Sequence, residues 1–231
     1  LWGVYTLLTL AETVLLFFGG MSIFEAFCHA FGTMATGGFS TRNASIAAYN
    51  SDYIHWVVIV FMFFAGMNFM IHYSIIFSGN FTPLRTNREF RFYLSVILGV
   101  IIIGSFTLRI EGINTPAQIA RNFRPHTLTE EEIGLKREQE RQRTGTVYRT
   151  VKHVTFQVVS LTTTTGYCTA DFDVWPSMLR FGLVLMMFFG GCAGSTGGGM
   201  KMVRMMVIVK SAWREVVTMI SSAFASSSCF K

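Results

Sequence analysis

Two short segments are rich in glycine and threonine. The groups they offer for binding are backbone carbonyl oxygens rather than ionisable side chains. Residues 33–41 read Thr-Met-Ala-Thr-Gly-Gly-Phe-Ser-Thr and follow the short apolar run Ile23–Phe31. Residues 162–169 read Thr-Thr-Thr-Thr-Gly-Tyr-Cys-Thr and follow a similar run, Val151–Leu161. Glycine tolerates the backbone conformations that turn successive carbonyl oxygens toward one axis. Such a row of oxygens can replace the water shell of a cation, so both segments are candidate ion-binding loops.

A third segment, residues 190–201, reads Gly-Gly-Cys-Ala-Gly-Ser-Thr-Gly-Gly-Gly-Met-Lys and contains six glycines in its first ten residues. Each glycine costs a helix about 1 kcal/mol relative to alanine, so the segment should interrupt the apolar stretch around it. It is not a phosphate-binding loop, because Met200 follows Gly199 where that motif requires lysine. Its Gly-x-x-x-Gly spacing leaves close helix packing as an alternative. We expect a flexible gating loop below the second Gly/Thr segment, formed by Gly190, Gly191, Gly194, Ser195, Thr196, Gly197, Gly198, Gly199 and Lys201.

The composition of the 231-residue chain predicts a membrane protein. Hydrophobic residues make up 51% of it and charged residues only 14%, against roughly 25% in an ordinary soluble domain. Residues 53–84, 92–108 and 181–200 carry no Asp, Glu, Lys or Arg, and Glu12 is the one charge in residues 1–18. About 20 apolar residues cross a bilayer, so we expect helices over 2–18, 53–77, 92–108 and from 175 onward. Because the chain begins inside an apolar stretch, we expect it to be a fragment.

The net charge of +6 is explained by the membrane rather than by nucleic acid. The basic residues flank the apolar stretches, which is the pattern of loops retained in the cytoplasm. Arg85, Arg88 and Arg91 therefore place residues 78–91 on the cytoplasmic side, and both Gly/Thr segments enter from the outer side. We expect contact with membrane lipid and none with nucleic acid.

The order helix, short helix, Gly/Thr segment, helix occurs twice. Aligning Gly37 with Gly166 also pairs Phe27 with Phe156, Thr33 with Thr162 and Thr36 with Thr165. The repeats cover residues 1–90 and 91–215. The second includes an inserted outer loop at 111–150 and the gating loop at 190–201, and a serine-rich tail follows at 216–231. Internal repeats are frequent in transport proteins.

The second Gly/Thr segment shares three of five residues, within 164–168, with the Thr-Val-Gly-Tyr-Gly filter of potassium channels. A filter ring needs about four loops, so either two chains assemble or further repeats exist. Two alternatives remain open: a turn between packed helices, and an assembly subunit that conducts no ion. The carbonyls predicted to line the ion path belong to Ala35, Thr36, Gly37, Gly38, Thr164, Thr165, Gly166 and Tyr167.

These motifs together resemble the TrkH/KtrB superfamily of potassium transporters. The resemblance implies an all-α membrane protein with helix–pore-helix–filter–helix repeats around a pseudo-fourfold, potassium-channel-like pore, of which these would be the second and third. It further implies that Gly37 and Gly166 are filter glycines, that glycine there favours potassium, and that residues 190–201 form an intramembrane gating loop. Two features depart from the family: residues 122–146 look inserted, and a further span is expected after Arg214. The residues that carry the resemblance are Phe24–His29, Ala35–Thr41, Phe156–Ser160, Thr165–Tyr167 and Gly190–Lys201.

The resemblance also sets the functional expectation. It implies potassium uptake across the bacterial inner membrane, with K⁺ as the transported ion and no organic cofactor in this chain. Relatives act as homodimers with a TrkA-type cytosolic nucleotide-binding regulator, and the remaining repeats would complete the pore. The alternatives are sodium or sodium-coupled transport within the same superfamily, and a membrane-embedded hydrolase that uses Ser195 or a histidine.

Overall fold

The computed structural model describes residues 2–111, 134–136, 138–139, 141–142 and 145–228. Among these residues, the named elements are all helical, as the sequence predicts. The outer loop expected at 111–150 lies mostly outside the described residues. The helices are α1 (Trp2–Phe18), α2 (Ile23–Met34), α3 (Asp52–Ala65), α4 (Phe69–Ser78), α5 (Thr82–Thr86), α6 (Arg88–Glu111), α7 (Val147–Thr162), α8 (Ser177–Met186) and α9 (Met202–Ser228).

The first repeat begins with two antiparallel helices, α1 and α2, joined by a tight turn at Gly19–Gly20. A capping box is present at the start of α2. The Glu25 backbone N–H donates to Ser22 Oγ at 3.2 Å, and the Ser22 N–H donates to Glu25 Oε2 at 3.3 Å. This reciprocal pair satisfies two amides that have no acceptor within the helix, and it fixes where the short helix begins.

The continuous helix expected over residues 53–77 is wrong, because the stretch forms two helices. Helix α3 ends at Ala65 and α4 begins at Phe69, with a bend of 104° between them. Gly66 caps α3, and the Asn68 side chain accepts a hydrogen bond from the Met70 N–H at 2.8 Å, which starts a new helix. The carbonyls of Ala65 and Gly66 accept hydrogen bonds from the 190–201 segment. These bonds replace the ones that the two carbonyls would accept in a straight helix.

The second repeat consists of α6, α7 and α8, in the order predicted from sequence. Helix α7 packs between α6 and α3, which buries the second pore helix against both repeats. Among the described residues, Arg88–Ile110 of α6 is long and apolar enough to cross a membrane, and the bent α3–α4 pair would be a second crossing if it counts as one. The tail expected from residue 216 is not separate from the preceding helix, because α9 runs unbroken from Met202 to Ser228.

Candidate functional site: two pore loops and the glycine-rich loop

The two predicted pore loops, which are the Gly/Thr segments at residues 33–41 and 162–169, have the same backbone hydrogen-bond pattern. After α2, the amides of residues 35, 36 and 37 donate to the carbonyls of residues 31, 33 and 32, respectively. After α7, the amides of residues 163, 164 and 165 donate to the carbonyls of residues 159, 161 and 160, which is the same pattern displaced by 128 residues. Thr36 and Thr164 both have a left-handed backbone, with φ of 52° and 59°. Gly38 and Gly166 follow, with φ of 67° and 90°.

The predicted repeat alignment is therefore displaced by one residue. Gly38, not Gly37, is the structural counterpart of Gly166, and Gly37 corresponds to Thr165. A Cβ on Gly38 would lie 2.0 Å from the Thr165 carbonyl oxygen, whereas a Cβ on Gly37 would have no neighbour closer than 3.5 Å. Two adjacent glycines made the position ambiguous in the sequence, and the left-handed turn selects the second of them.

Thr36 and Thr164, at equivalent positions of the two loops, have a strained left-handed backbone, which contacts with neighbouring residues must stabilise. A non-glycine residue in this conformation costs on the order of 1–3 kcal/mol, and such residues cluster at functional sites. The hydroxyls of both threonines have partners. Thr36 Oγ1 lies 2.7 Å from its neighbour's carbonyl and 3.1 Å from the Thr196 carbonyl, and Thr164 Oγ1 accepts from the Gly198 N–H at 2.6 Å.

Tyr167 joins the two loops. Its side chain is fully buried, and its hydroxyl lies 3.1 Å from the His29 carbonyl and 3.2 Å from the Phe39 carbonyl, both in the first repeat. Gly32 makes room for it, since a Cβ there would lie 2.3 Å from the tyrosine oxygen. The Tyr167 carbonyl, predicted to face the ion path, accepts a hydrogen bond from Ser160 Oγ at 2.7 Å. The sequence identified Tyr167 as a filter residue but not as a link between repeats.

Tyr167→Phe removes this link without changing the packing of the ring. We expect the free energy of unfolding to fall by about 1–2 kcal/mol, the cost of losing a buried hydroxyl whose acceptors remain. Thermal unfolding of the purified full-length protein in detergent measures the change. Tyr73→Phe is the matched control, because Tyr73 is half exposed. Equal melting temperatures for the two variants would contradict the assigned link.

Polar side chains of the pore helices hold the chain that follows each loop. In the first repeat, His29 bridges the Glu25 carbonyl at 2.7 Å and Ser40 Oγ at 2.9 Å. Gln157, its counterpart 128 residues later, donates to the Ala170 carbonyl at 3.1 Å. Both side chains are fully buried. In each repeat, a side chain of the short helix thus holds the chain that follows the loop. His29 and Gln157 are functional candidates that the sequence did not single out.

The glycine-rich loop lies against both pore loops. Thr36 bonds to Thr196, and Thr164 bonds to Gly198. Since the two threonines are equivalent, each repeat contacts the glycine-rich loop through the same position. The sequence predicted a loop below the second segment alone. An open cavity of about 650 Å³ adjoins it, lined by residues that include Ala35 of the first pore loop and Gly194–Thr196 of the glycine-rich loop.

Backbone pairing gives the glycine-rich loop its shape. The Gly190 N–H donates to the Met200 carbonyl at 2.8 Å, and the Met200 N–H donates to the Phe188 carbonyl at 3.2 Å. The Lys201 ammonium, half-buried, bonds to the Gly197 carbonyl inside the loop. Ser195, the nucleophile of the hydrolase alternative, donates its hydroxyl to the Cys192 carbonyl at 2.6 Å. The loop is a compact non-helical unit, as its glycine content predicts.

The break between α3 and α4 is where this loop docks. The Cys192 N–H donates to the Gly66 carbonyl at 2.8 Å, the Thr196 N–H donates to the Ala65 carbonyl at 3.3 Å, and the Phe69 N–H donates to the Gly194 carbonyl at 3.0 Å. Glu89 at the start of α6 accepts a further hydrogen bond from the Ala193 N–H at 2.6 Å. The glycine-rich loop thus docks on the α3–α4 break and on the start of α6. No sequence motif pointed to this contact.

The ion pairs seen among the described residues involve no residue of the glycine-rich loop. Arg42 pairs with Glu25 at 2.7 Å, and Lys152 of α7 pairs with Asp52 of α3. A hydrogen bond to Tyr49 and the pair with Glu25 raise the pKa of Arg42, so this guanidinium is cationic throughout the accessible pH range. The Lys152–Asp52 pair joins the two repeats near the predicted outer face.

Two helix–loop–helix repeats that meet at their loops define the class: an all-α membrane transport fold. A family profile described as TrkH, a cation transport protein, matches residues 1–223. The chain belongs to this family, as the sequence motifs indicated, and the assignment favours transport over the hydrolase alternative.

Individual relatives agree with the family. The chain is 32% identical over 216 residues to the Trk system potassium uptake protein TrkH of Escherichia coli K12, covering 94% of this chain and 38% of that protein. It is 34% identical over 220 residues to TrkH of Halomonas elongata, covering 95% and 39%. The crystal structure of the potassium transporter TrkH from Vibrio parahaemolyticus superimposes with a TM-score of 0.76 at 30% identity, covering 95% of this chain and 41% of that one. The chain thus spans about two fifths of the length of these relatives.

Proposed function

We propose that this chain forms two sectors of a potassium-selective pore. The observation that carries the proposal is the pair of identically folded loops, which meet through Tyr167 and Gly38 and contact one glycine-rich loop at equivalent threonines. Relatives named as potassium uptake proteins support the choice of ion. In this proposal K⁺ is the cargo, and backbone carbonyls of residues 35–38 and 164–167 replace its hydration water.

Ion movement through these sectors would be passive and driven by the membrane potential. That potential supplies about 2.3 kcal/mol per unit charge per 100 mV. Glycine stands at both left-handed filter positions, Gly38 and Gly166, and this supports potassium over the sodium alternative that the resemblance left open. The Lys152–Asp52 pair and the Arg42–Glu25 pair lie at the outer mouth in this arrangement.

The glycine-rich loop is the proposed gate. In this proposal, the loop closes the inner side of the pore when its two limbs, which begin at Gly190 and end at Met200, are paired. Its backbone is then bonded to Ala65 and Gly66. Each docking bond contributes roughly 0.5–1.5 kcal/mol, so the loop can leave this position at a cost that a regulator could supply. Residues 194–196 line the adjoining cavity, which offers space for such a movement.

The rest of the assembly follows from the family as a proposal. Further repeats would complete the ring, and the whole protein would act in the bacterial inner membrane as a homodimer with a TrkA-type cytosolic regulator. Residues 1–90 and 91–215 form the two repeats of this scheme. Apolar side chains exposed on α6 and α9 would face lipid or those repeats; they include Ile102, Ile103, Phe106 and Trp213.

Potassium-dependent growth tests this function. A bacterium that lacks its own uptake systems would express the full-length protein, alone and with a TrkA-type partner, beside Gly166→Asp at equal membrane abundance. We expect growth at low K⁺ with the parent and none with the variant, because a carboxylate side chain at φ 90° would distort the filter. Failure of the parent in the presence of the partner, or rescue by Gly166→Asp, would overturn the proposal.

A further inference from the structure

A cavity between the start of α6 and α9 is separate from the pore loops and the glycine-rich loop. Its volume is about 470 Å³, which lies within the roughly 300–1,000 Å³ of ligand-binding clefts. Helices α6 and α9 pack against each other here. The cavity adjoins the first turns of Arg88–Ile110, the segment long and apolar enough to cross a membrane. Its position is therefore the predicted cytoplasmic boundary of the bilayer.

Three cationic side chains line this cavity, and none of the described residues that line it is acidic. Arg88 and Arg91 belong to α6 and Lys210 to α9, and all three are exposed. The ion pairs of the described residues involve none of them. Glu89, the acid beside the arginines in the sequence, instead accepts a hydrogen bond from the Ala193 N–H at 2.6 Å. The concentration of positive charge favours an anionic ligand.

The same cavity also offers apolar surface. Phe92 of α6 lines it together with Met206 and Val209 of α9. A small inorganic anion gains nothing from such side chains, whereas an amphiphilic molecule can bury hydrocarbon against them. Basic pockets between membrane helices at the cytoplasmic side are typical binding sites of anionic lipid headgroups. The mixture of charge and apolar surface therefore favours a lipid over a free phosphate.

The face of α6 that lines the cavity continues as an apolar stripe along the spanning segment. Helical spacing from Arg88 and Ser95 places on this face three side chains that are each about two thirds exposed: Ile102, Ile103 and Phe106. A Cβ on Gly99, between the cavity and these residues, would meet nothing within 4 Å. From Ser95 to Phe106 the helix rises about 16 Å, roughly half of the ~30 Å hydrocarbon core. The stripe thus has the length of an acyl chain in one leaflet.

We propose that this cavity binds the headgroup of an anionic phospholipid of the cytoplasmic leaflet, with the acyl chains along the α6 stripe. The lipid phosphate lies among Arg88, Arg91 and Lys210. Arginine suits this role because its planar guanidinium donates two parallel N–H bonds to phosphate oxygens. Binding at this site requires no ion conduction, so the proposal can be tested whether or not the potassium pore is correct.

Lipid binding by the purified full-length protein tests the site. Native mass spectrometry in detergent would measure the dissociation constants of dioleoyl phosphatidylglycerol, which is anionic, and of dioleoyl phosphatidylcholine, which is zwitterionic. We expect the parent to bind phosphatidylglycerol about tenfold more tightly or better. In Arg88→Gln/Arg91→Gln the affinity for phosphatidylglycerol should fall about 30-fold, equivalent to ~2 kcal/mol for two basic residues. Equal affinity of the parent for both lipids would overturn the proposal.

Arg85→Gln/Arg214→Gln is the matched control. It removes the same charge from α5 and α9, and both arginines are exposed and outside the lining of the cavity. This variant should bind phosphatidylglycerol as the parent does. An equal loss in the two variants, or a loss in neither, would overturn the proposal, because the lipid would then be attracted by the basic surface as a whole.

Two further measurements test other occupants of the cavity. Glycerol phosphate in large molar excess should not displace phosphatidylglycerol from the parent. Displacement would show that a phosphate without acyl chains suffices, and the lipid assignment would be wrong. A TrkA-type regulator should bind Arg88→Gln/Arg91→Gln as tightly as the parent. Loss of the regulator with unchanged lipid binding would identify the cavity as a protein-docking surface and overturn the proposal.

Discussion

Gly38→Ala should abolish potassium-dependent growth at low K⁺. The added methyl group would lie 2.0 Å from the Thr165 carbonyl oxygen, a distance that no relaxation of a side chain can relieve. The left-handed backbone at φ 67° adds strain on the order of 1–3 kcal/mol. The two loops must move apart, and the carbonyls of both would leave the ion path.

Gly37→Ala is the control for this experiment. The nearest neighbour of a Cβ at Gly37 would be the Phe39 ring, at 3.5 Å, which is an ordinary contact. We expect this variant to support growth at K⁺ concentrations close to those of the parent, measured with equal amounts of protein in the membrane. The sequence alignment with Gly37 opposite Gly166 predicts the reverse order of severity. A harmful Gly37→Ala beside a tolerated Gly38→Ala would therefore contradict the structural alignment.

Gly190→Ala should open the proposed gate. A methyl group at this position would lie 2.0 Å from the Gly198 carbonyl oxygen, so the two limbs of the glycine-rich loop must separate. Losing the paired bonds of Gly190 and Met200 removes roughly 1–3 kcal/mol from the closed arrangement. We expect K⁺ influx into K⁺-depleted cells to rise tenfold or more and to lose its dependence on the regulator.

Gly182→Ala supplies the comparison within the same repeat. Gly182 lies on α8, and a Cβ there would have no neighbour within 4 Å. This variant should therefore match the parent in both abundance and influx. Reduced influx through Gly190→Ala, with the protein present in the membrane at the parental level, would show that the loop supports conduction instead of blocking it.

The elements of this fold were largely predictable because the short helices carry local signals. The capping box of Ser22 and Glu25 marks the start of α2, and apolar runs mark α1, α6 and α8. The non-helical glycine-rich loop was also predictable, since six glycines outweigh the apolar residues around them. These features depend on neighbours in the sequence, which is why the sequence reveals them.

The break between α3 and α4 depends on a distant contact. Gly66 and Asn68 are weak helix-ending signals within a long uncharged run, and they favour a bend only because residues 192–196 bond to the freed backbone. More than 120 residues separate these partners. Periodicity and composition carry no information about such a pairing, so the stretch resembled one straight span.

The candidate site was predictable in kind but not in detail. The glycine and threonine content indicated both loops. The sequence could not show that Gly38, rather than Gly37, corresponds to Gly166, because that choice depends on backbone angles. The role of Tyr167 as a link depends on its contacts with His29 and Phe39, which lie more than 120 residues away in the sequence.

The pairing of Gly37 with Thr165 has an evolutionary consequence. In a ring of identical chains, one mutation enters every sector at once, and a residue that suits a single sector cannot be selected alone. Here the sectors are encoded separately in one chain, so a hydroxyl-bearing residue stands in one sector and a bare glycine in the other. Because the two repeats are encoded separately, a substitution can adapt one of them without changing the other, as the different residues at this pair of positions illustrate.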